Sequence, residues 1–78
     1  MKAAVDAFPK YVAALERLGN EYIGLKYYDA AQYIFSAALE VNPRGYRSWY
    51  GLAYAYYSLN KFNDASFAID KSLEIFQG

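Results

Sequence analysis

Cysteine and histidine are both missing from the 78 residues. Their absence removes disulfides, thiol nucleophiles, the usual zinc ligands and the commonest general base together. A net charge is missing too: eight Lys and Arg balance eight Asp and Glu, so no field of one sign draws the chain onto nucleic acid or an anionic membrane. Apolar runs are short and broken by charges, which excludes a bilayer-spanning helix. The opening stretch MKAAVDAF places Asp6 where a signal peptide needs an unbroken apolar core. The chain is therefore expected to be soluble and to reside in the cytoplasm or nucleus. Proline occurs only at positions 9 and 43, and each marks the end of a helical segment, because an interior proline breaks the hydrogen-bond ladder.

Apolar and aromatic side chains are plentiful. The hydrophobic fraction is 56% and the aromatic fraction 21%, far above what a disordered chain carries. At this length a single core leaves only about 3–5 kcal/mol of net stability, so packing against neighbours is a plausible contributor.

A shift of about 34 residues superposes the sequence on itself, a period typical of helical repeat arrays. Leu18 falls on Leu52, Tyr22 on Tyr56, Leu25 on Leu59, Ala31 on Ala65 and Leu39-Glu40 on Leu73-Glu74. Similar residues keep the same register: Leu15 with Trp49, Gly19 with Ala53, Tyr28 with Phe62, Phe35 with Ile69, Ala38 with Ser72, and Pro9 with Pro43. Each unit reads as two helices. Leu15, Leu18, Tyr22 and Leu25 recur at spacings of three and four and form one stripe on a helix over 12–25. Asp29 is a candidate N-cap for a second helix, whose stripe is Ala31, Phe35, Ala38 and Leu39. The same arrangement predicts helices over 46–59 and 63–76. Met1, Ala4 and Val5 stand one period before Phe35, Ala38 and Leu39, so 1–8 reads as the tail of another second helix.

These residues resemble the tetratricopeptide repeat (TPR) family. The first unit supplies Leu15, Leu18, Gly19, Tyr22, Ala31, Phe35, Ala38 and Pro43 at the family positions. The second supplies Trp49, Leu52, Ala53, Tyr56, Ala65, Ile69 and Ser72, with Gln77 where the proline stands in the family. A narrower similarity, carried by Arg44, Tyr46 and Gly51 in RGYRSWYGL, is to the TPR scaffold subunits of the anaphase-promoting complex. The resemblance implies an all-α fold of helix-turn-helix repeats stacked as a short right-handed solenoid. It divides the single domain 1–78 into a partial helix (1–8), a first repeat (12–45) and a second repeat (46–78). Small residues at Gly19, Ala31, Ala53 and Ala65 allow helices to approach closely, and Trp49, Leu52 and Tyr56 are expected in the core.

In the family the first helices line a concave groove that takes a partner peptide or helix. The face turned away from the core stripe carries Glu16, Arg17, Asn20 and Ile23 on one helix, and Arg47, Tyr50, Gly51, Tyr54 and Tyr57 on the other. These nine are the candidate partner-binding residues. Tyr50, Tyr54 and Tyr57 form a phenolic stripe, offering apolar area with hydrogen-bonding tips, although the same rings could simply cover neighbouring helices. Gly51 disfavours a helix by about 1 kcal/mol and is expected to mark the close approach of another chain. Capture of a chaperone's C-terminal carboxylate is disfavoured: Asn20 and Arg47 match the family's clamp, but Glu16 and Gly51 do not.

Catalysis is not expected. None of the carboxylates is accompanied by a His, a Cys or a metal-ligand motif, Gly45 and Gly51 lack the spacing of a phosphate loop, and no cofactor or metal is anticipated. Arg44, Tyr46, Arg47 and Tyr50 interleave charge with rings as a single-strand platform does, which keeps nucleic acid as a minor alternative in a neutral chain. Another alternative is a self-associating or engineered repeat fragment with no ligand. No polar capping helix follows Phe67, Ile69, Leu73, Ile75 and Phe76, so self-association through the terminal helices, in a symmetric dimer, is expected.

Overall fold

A computed structural model describes residues 9–77. Four helices follow one another, α1 (Pro9–Gly24), α2 (Tyr28–Val41), α3 (Tyr46–Ser58) and α4 (Phe62–Gln77), and there is no strand among the described residues. Each helix packs on the next in the chain, with a lesser contact between α1 and α3. The fold is all-α, as the repeat pattern predicts. The expected partial helix at 1–8 lies outside the described residues.

Helix boundaries follow local chemistry. Pro9 occupies the first helical position of α1, where its missing N–H has no intrahelical partner to lose and its fixed φ suits the helix. α1 and α3 both end in the same left-handed turn. The Lys26 N–H donates to the Ile23 carbonyl and the Tyr27 N–H to that of Tyr22, while about 34 residues on the Asn60 N–H donates to Tyr57 and the Lys61 N–H to Tyr56. Lys26 and Asn60 both sit at φ 65°, the region glycine favours and asparagine tolerates better than lysine. Lys26→Gly is expected to raise stability by about 0.5–1 kcal/mol, more than Asn60→Gly does, as read from urea-unfolding midpoints.

These turns correct the expected N-cap. Asp29 does not cap α2: the capping residue is Tyr27, with no side-chain hydrogen bond. The left-handed turn returns the chain to helical geometry at once, so the Tyr27 carbonyl already accepts the Ala31 N–H. Asp29 and Asp64 instead stand in the first turns of α2 and α4, where a carboxylate beside free N–H groups contributes about 0.3–1 kcal/mol. The α2–α3 link is a tight turn, with Asn42, Pro43 and Gly45 at the positions such turns prefer, closed by the Gly45 N–H on the Asn42 carbonyl.

The core centres on Phe35, which is 1% exposed. Ala31, Leu52 and Ala55 complete the buried cluster, and Tyr22, Ile23, Leu39, Trp49 and Tyr56 pack around it half-buried. Small residues create the space. A Cβ on Gly19 would lie 2.6 Å from Phe35 Cζ, and one on Gly51 only 2.4 Å from the same atom. The ring is thus held between α1 and α3, which is how α2 joins both.

Three apolar residues assigned to buried stripes are more exposed than expected. Leu18, Leu25 and Leu73 are 36%, 61% and 50% exposed, because helical periodicity gives a direction around a helix but not the neighbour that covers it. Trp49 and Tyr56 are half-buried. The Trp49 indole N–H donates to the Pro43 carbonyl at 2.9 Å, and Phe67 meets its ring edge-on. Ser72, at the position of Ala38, keeps a hydroxyl because it donates to the Tyr46 carbonyl at 3.0 Å.

Burial pushes the Tyr56 phenol above its ordinary 10.0, and the Asp64 carboxylate pushes it further the same way. The folded state therefore holds this proton more tightly than the unfolded chain. The associated stability is complete below pH 10 and declines as pH rises through the raised native value. Tyr56→Phe is expected to lose less stability than the parent between about pH 9 and 11, a comparison made by urea unfolding at constant ionic strength.

Candidate partner-binding surface

The nine candidates divide into residues the fold engages and residues it leaves free. The Glu16 carboxylate is half-buried and accepts the Ser48 hydroxyl at 3.2 Å, tying α1 to α3. Ile23 packs on the Phe35 cluster. The Gly51 Cα faces the Phe35 ring, so the close approach that Gly51 permits is first of all intramolecular. Arg17, Asn20, Arg47, Tyr50, Tyr54 and Tyr57 are exposed.

Two hollows that share Tyr50 take in the free residues other than Arg17. One, of about 300 Å³, brings Asn20 of α1 together with Arg47, Tyr50 and Gly51 of α3 and with Leu73 and Phe76 of α4. The other, of about 510 Å³, lies between α3 and α4 and is walled by Tyr50, Tyr54 and Tyr57 on one side and Phe62, Ser66 and Ile69 on the other. Ala53 and Ala65 complete its lining. Tyr50 borders both. No formal charge lines the larger hollow, and its walls therefore favour apolar contact over ion pairing.

The phenolic stripe is only partly engaged with its own chain. Tyr54 meets Tyr28 at a centroid distance of 6.4 Å and Tyr57 meets Phe62 edge-on at 5.4 Å. Tyr50, Tyr54 and Tyr57 nevertheless remain 60%, 49% and 65% exposed, leaving most of each ring available. Sequence reasoning missed the α4 wall. The signal was in the repeat: Phe62, Ala65, Ser66 and Ile69 stand one period after Tyr28, Ala31, Gln32 and Phe35, residues of the helix against which α3 packs.

Two similar helical hairpins, joined so that each helix packs on its chain neighbour, define a helical repeat protein. The sequence profile of the tetratricopeptide repeat matches residues 22–78, and the chain belongs to that family. It is also similar to anaphase-promoting complex subunit 3 of the fission yeast Schizosaccharomyces pombe, with 29% identity over 72 residues. That match takes in 92% of this chain and 11% of the relative, so the chain spans about a tenth of the curated protein's length. Repeats of this family generally mediate protein–protein interaction or scaffolding. No helix among the described residues is long and apolar enough to cross a membrane.

Proposed function

We propose that the chain is a protein-interaction module of a scaffold, binding a partner segment in the groove of the first helices, where Tyr50, Tyr54 and Tyr57 of α3 border the hollow between α3 and α4. The observation that carries this reading is three largely exposed phenols beside an uncharged hollow of about 510 Å³. Exposed aromatic anchors beside an apolar recess are the usual dominant contributors at protein interfaces. Asn20 and Arg47 supply a polar rim, whereas Arg17 lines neither hollow. Glu16, Ile23 and Gly51 serve mainly by holding that face in place.

Tyr50→Ala with Tyr54→Ala is expected to weaken partner capture by about tenfold or more, as loss of anchoring aromatics does. Far-ultraviolet circular dichroism is expected to show full helicity, because Ala is the better helix former. Capture unchanged by the double substitution, or a variant that unfolds, refutes the phenolic face as the binding surface.

Self-association is the second reading, favoured by Phe62, Phe67, Leu73 and Phe76, all at least half exposed on α4. A symmetric dimer burying α4 against its copy puts a concentration-dependent mass increase in sedimentation equilibrium, and a mass that stays monomeric excludes it. Nucleic acid has less support: the Tyr46 ring of the interleaved platform packs on Phe76 at 5.2 Å.

A further inference from the structure

We propose that the crevice between α2 and α4, floored by α3, is a binding site for an arginine side chain of a partner protein. It goes beyond the groove reading, because it shares no lining residue with either hollow.

The crevice measures about 430 Å³ and is built from three helices. Trp49, Leu52 and Tyr56 of α3 form its floor, Glu40 of α2 stands on one wall, and Asp64 and Phe67 of α4 stand on the other. The Trp49 indole N–H is engaged by the Pro43 carbonyl at 2.9 Å, which fixes the ring and occupies its polar edge. Phe67 lies at 79° to that ring with centroids 5.9 Å apart, yet remains 59% exposed. Repeat stacking does not require this set. One period back, the positions of Trp49 and Asp64 hold Leu15 and Ala30.

Nor would a further repeat cover the crevice. α3 packs on α1 and α2, and a helix placed one period on would pack on α3 and α4 in the same way, beside Ala53, Ala65 and Ile69 in the larger hollow. The α2–α4 crevice already has both of its flanking helices.

Rings and carboxylates together select a cation. Glu40 and Asp64 are exposed, and the ion pair formed among the described residues, Lys71 with Glu74, involves neither. The Tyr56 phenol registers the field at the floor: burial raises its pKa, and the Asp64 carboxylate raises it further. The same ring has the Lys61 ammonium 5.9 Å from its centroid, where Lys61 donates to Gln32 Oε1 at 3.1 Å, and Lys61 is outside the crevice lining. An alkylammonium is compact and strongly hydrated, so it loses its water shell against rings. A trimethylammonium packs well on rings but has no N–H for the carboxylates. A guanidinium is weakly hydrated, stacks on aromatic faces and donates in plane to carboxylates. It alone uses both the floor and the walls. The crevice is larger than a guanidinium head, and the aliphatic stem of an arginine covers Leu52 while the head reaches the carboxylates. Arginine is also a side chain over-represented among the dominant contacts of protein interfaces.

Trp49 is the single tryptophan of the chain, so its emission and its indole N–H resonance report on the floor directly. The test titrates the full chain with N-acetylarginine N-methylamide and with the lysine, trimethyllysine and citrulline analogues, citrulline being close to arginine in shape but neutral. The arginine probe is expected to change Trp49 emission saturably and to shift the indole resonance together with the Asp64 and Phe67 amides. Lysine is expected to bind about fivefold or more weakly, because it lacks the stacking plane and the fork of donors, and citrulline to give no saturable response. Glu40→Gln with Asp64→Asn is expected to weaken arginine binding about tenfold or more, as loss of charge-assisted hydrogen bonds does, with helicity unchanged by circular dichroism. Phe67→Ala, at an exposed ring, is expected to weaken it about threefold or more. No saturable response to arginine, an equal response to citrulline, or lysine or trimethyllysine binding as tightly as arginine overturns the proposal. So does arginine affinity unchanged by either the carboxylate double variant or Phe67→Ala. Tyr50→Ala with Tyr54→Ala is expected to leave arginine binding as in the parent, so the groove reading and this one fail separately. Arginine binding lost in that variant overturns the crevice as the site.

Discussion

Phe35→Ala is expected to leave the chain largely unfolded at 25 °C. The side chain is 1% exposed and is the largest of the fully buried side chains among the described residues. Its ring occupies a gap that two glycines on different helices hold open, so truncation leaves a void no adjacent side chain is placed to fill. Phe→Ala changes in well-packed cores cost about 3–5 kcal/mol, the transfer term plus the cavity term. The whole net stability of a chain this size is about the same. α2 would lose its main attachment to α1 and α3 together, and unfolding is therefore expected to be global. Far-ultraviolet circular dichroism and a thermal melt decide it: a variant that keeps the parent's helicity and melts within a few degrees of it shows that Phe35 is not the joint of the stack.

Much of this joint was legible in the sequence, and the limits of that legibility are physical. Ala31, Phe35 and Ala38 recur at spacings of four and three, and all three are buried. Small residues at Gly19, Ala31, Ala53 and Ala65 were expected to permit close packing, and each is buried. What periodicity could not supply was the identity of the neighbour. Gly51 reads in sequence as room for a foreign chain, while in the fold that room faces Phe35, sixteen positions earlier on another helix. Glu16 reads as a rim residue, yet Ser48 donates to it across the α1–α3 contact. Such pairings depend on rotation of helices about their axes by a fraction of a turn, which a stripe of apolar residues does not fix. The larger hollow was half visible for the same reason. Its α3 wall formed a stripe, but its α4 wall, Phe62, Ser66 and Ile69, became meaningful only once α3 was seen to occupy the equivalent site one repeat earlier.

Gly51→Leu is expected to destabilise the chain by about 3 kcal/mol or more, although the change favours the helix locally. In an exposed helix interior, replacing glycine by alanine or leucine gains about 0.5–1 kcal/mol. Here the first added carbon already meets three ring atoms of Phe35 at 2.4, 2.6 and 2.7 Å. The ring cannot retreat, because Gly19 borders it on the opposite helix at a distance where a Cβ would lie 2.6 Å away. Overpacking of a core typically costs about 1–3 kcal/mol and more when several atoms are forced in, so the steric term outweighs propensity. Gly24 provides the contrast, since nothing lies within 4 Å of a Cβ built there, and Gly24→Ala is expected to be neutral or to stabilise by up to about 1 kcal/mol. The mechanism is isolated by a double-mutant cycle with the milder Gly51→Ala, measured in the parent and in Phe35→Leu, which shortens the opposing side chain without emptying the site. If the ring is the obstacle, Gly51→Ala destabilises the parent but is neutral or stabilising beside Phe35→Leu, giving a coupling of about 1 kcal/mol or more. Additive effects place the penalty in the backbone of α3 instead.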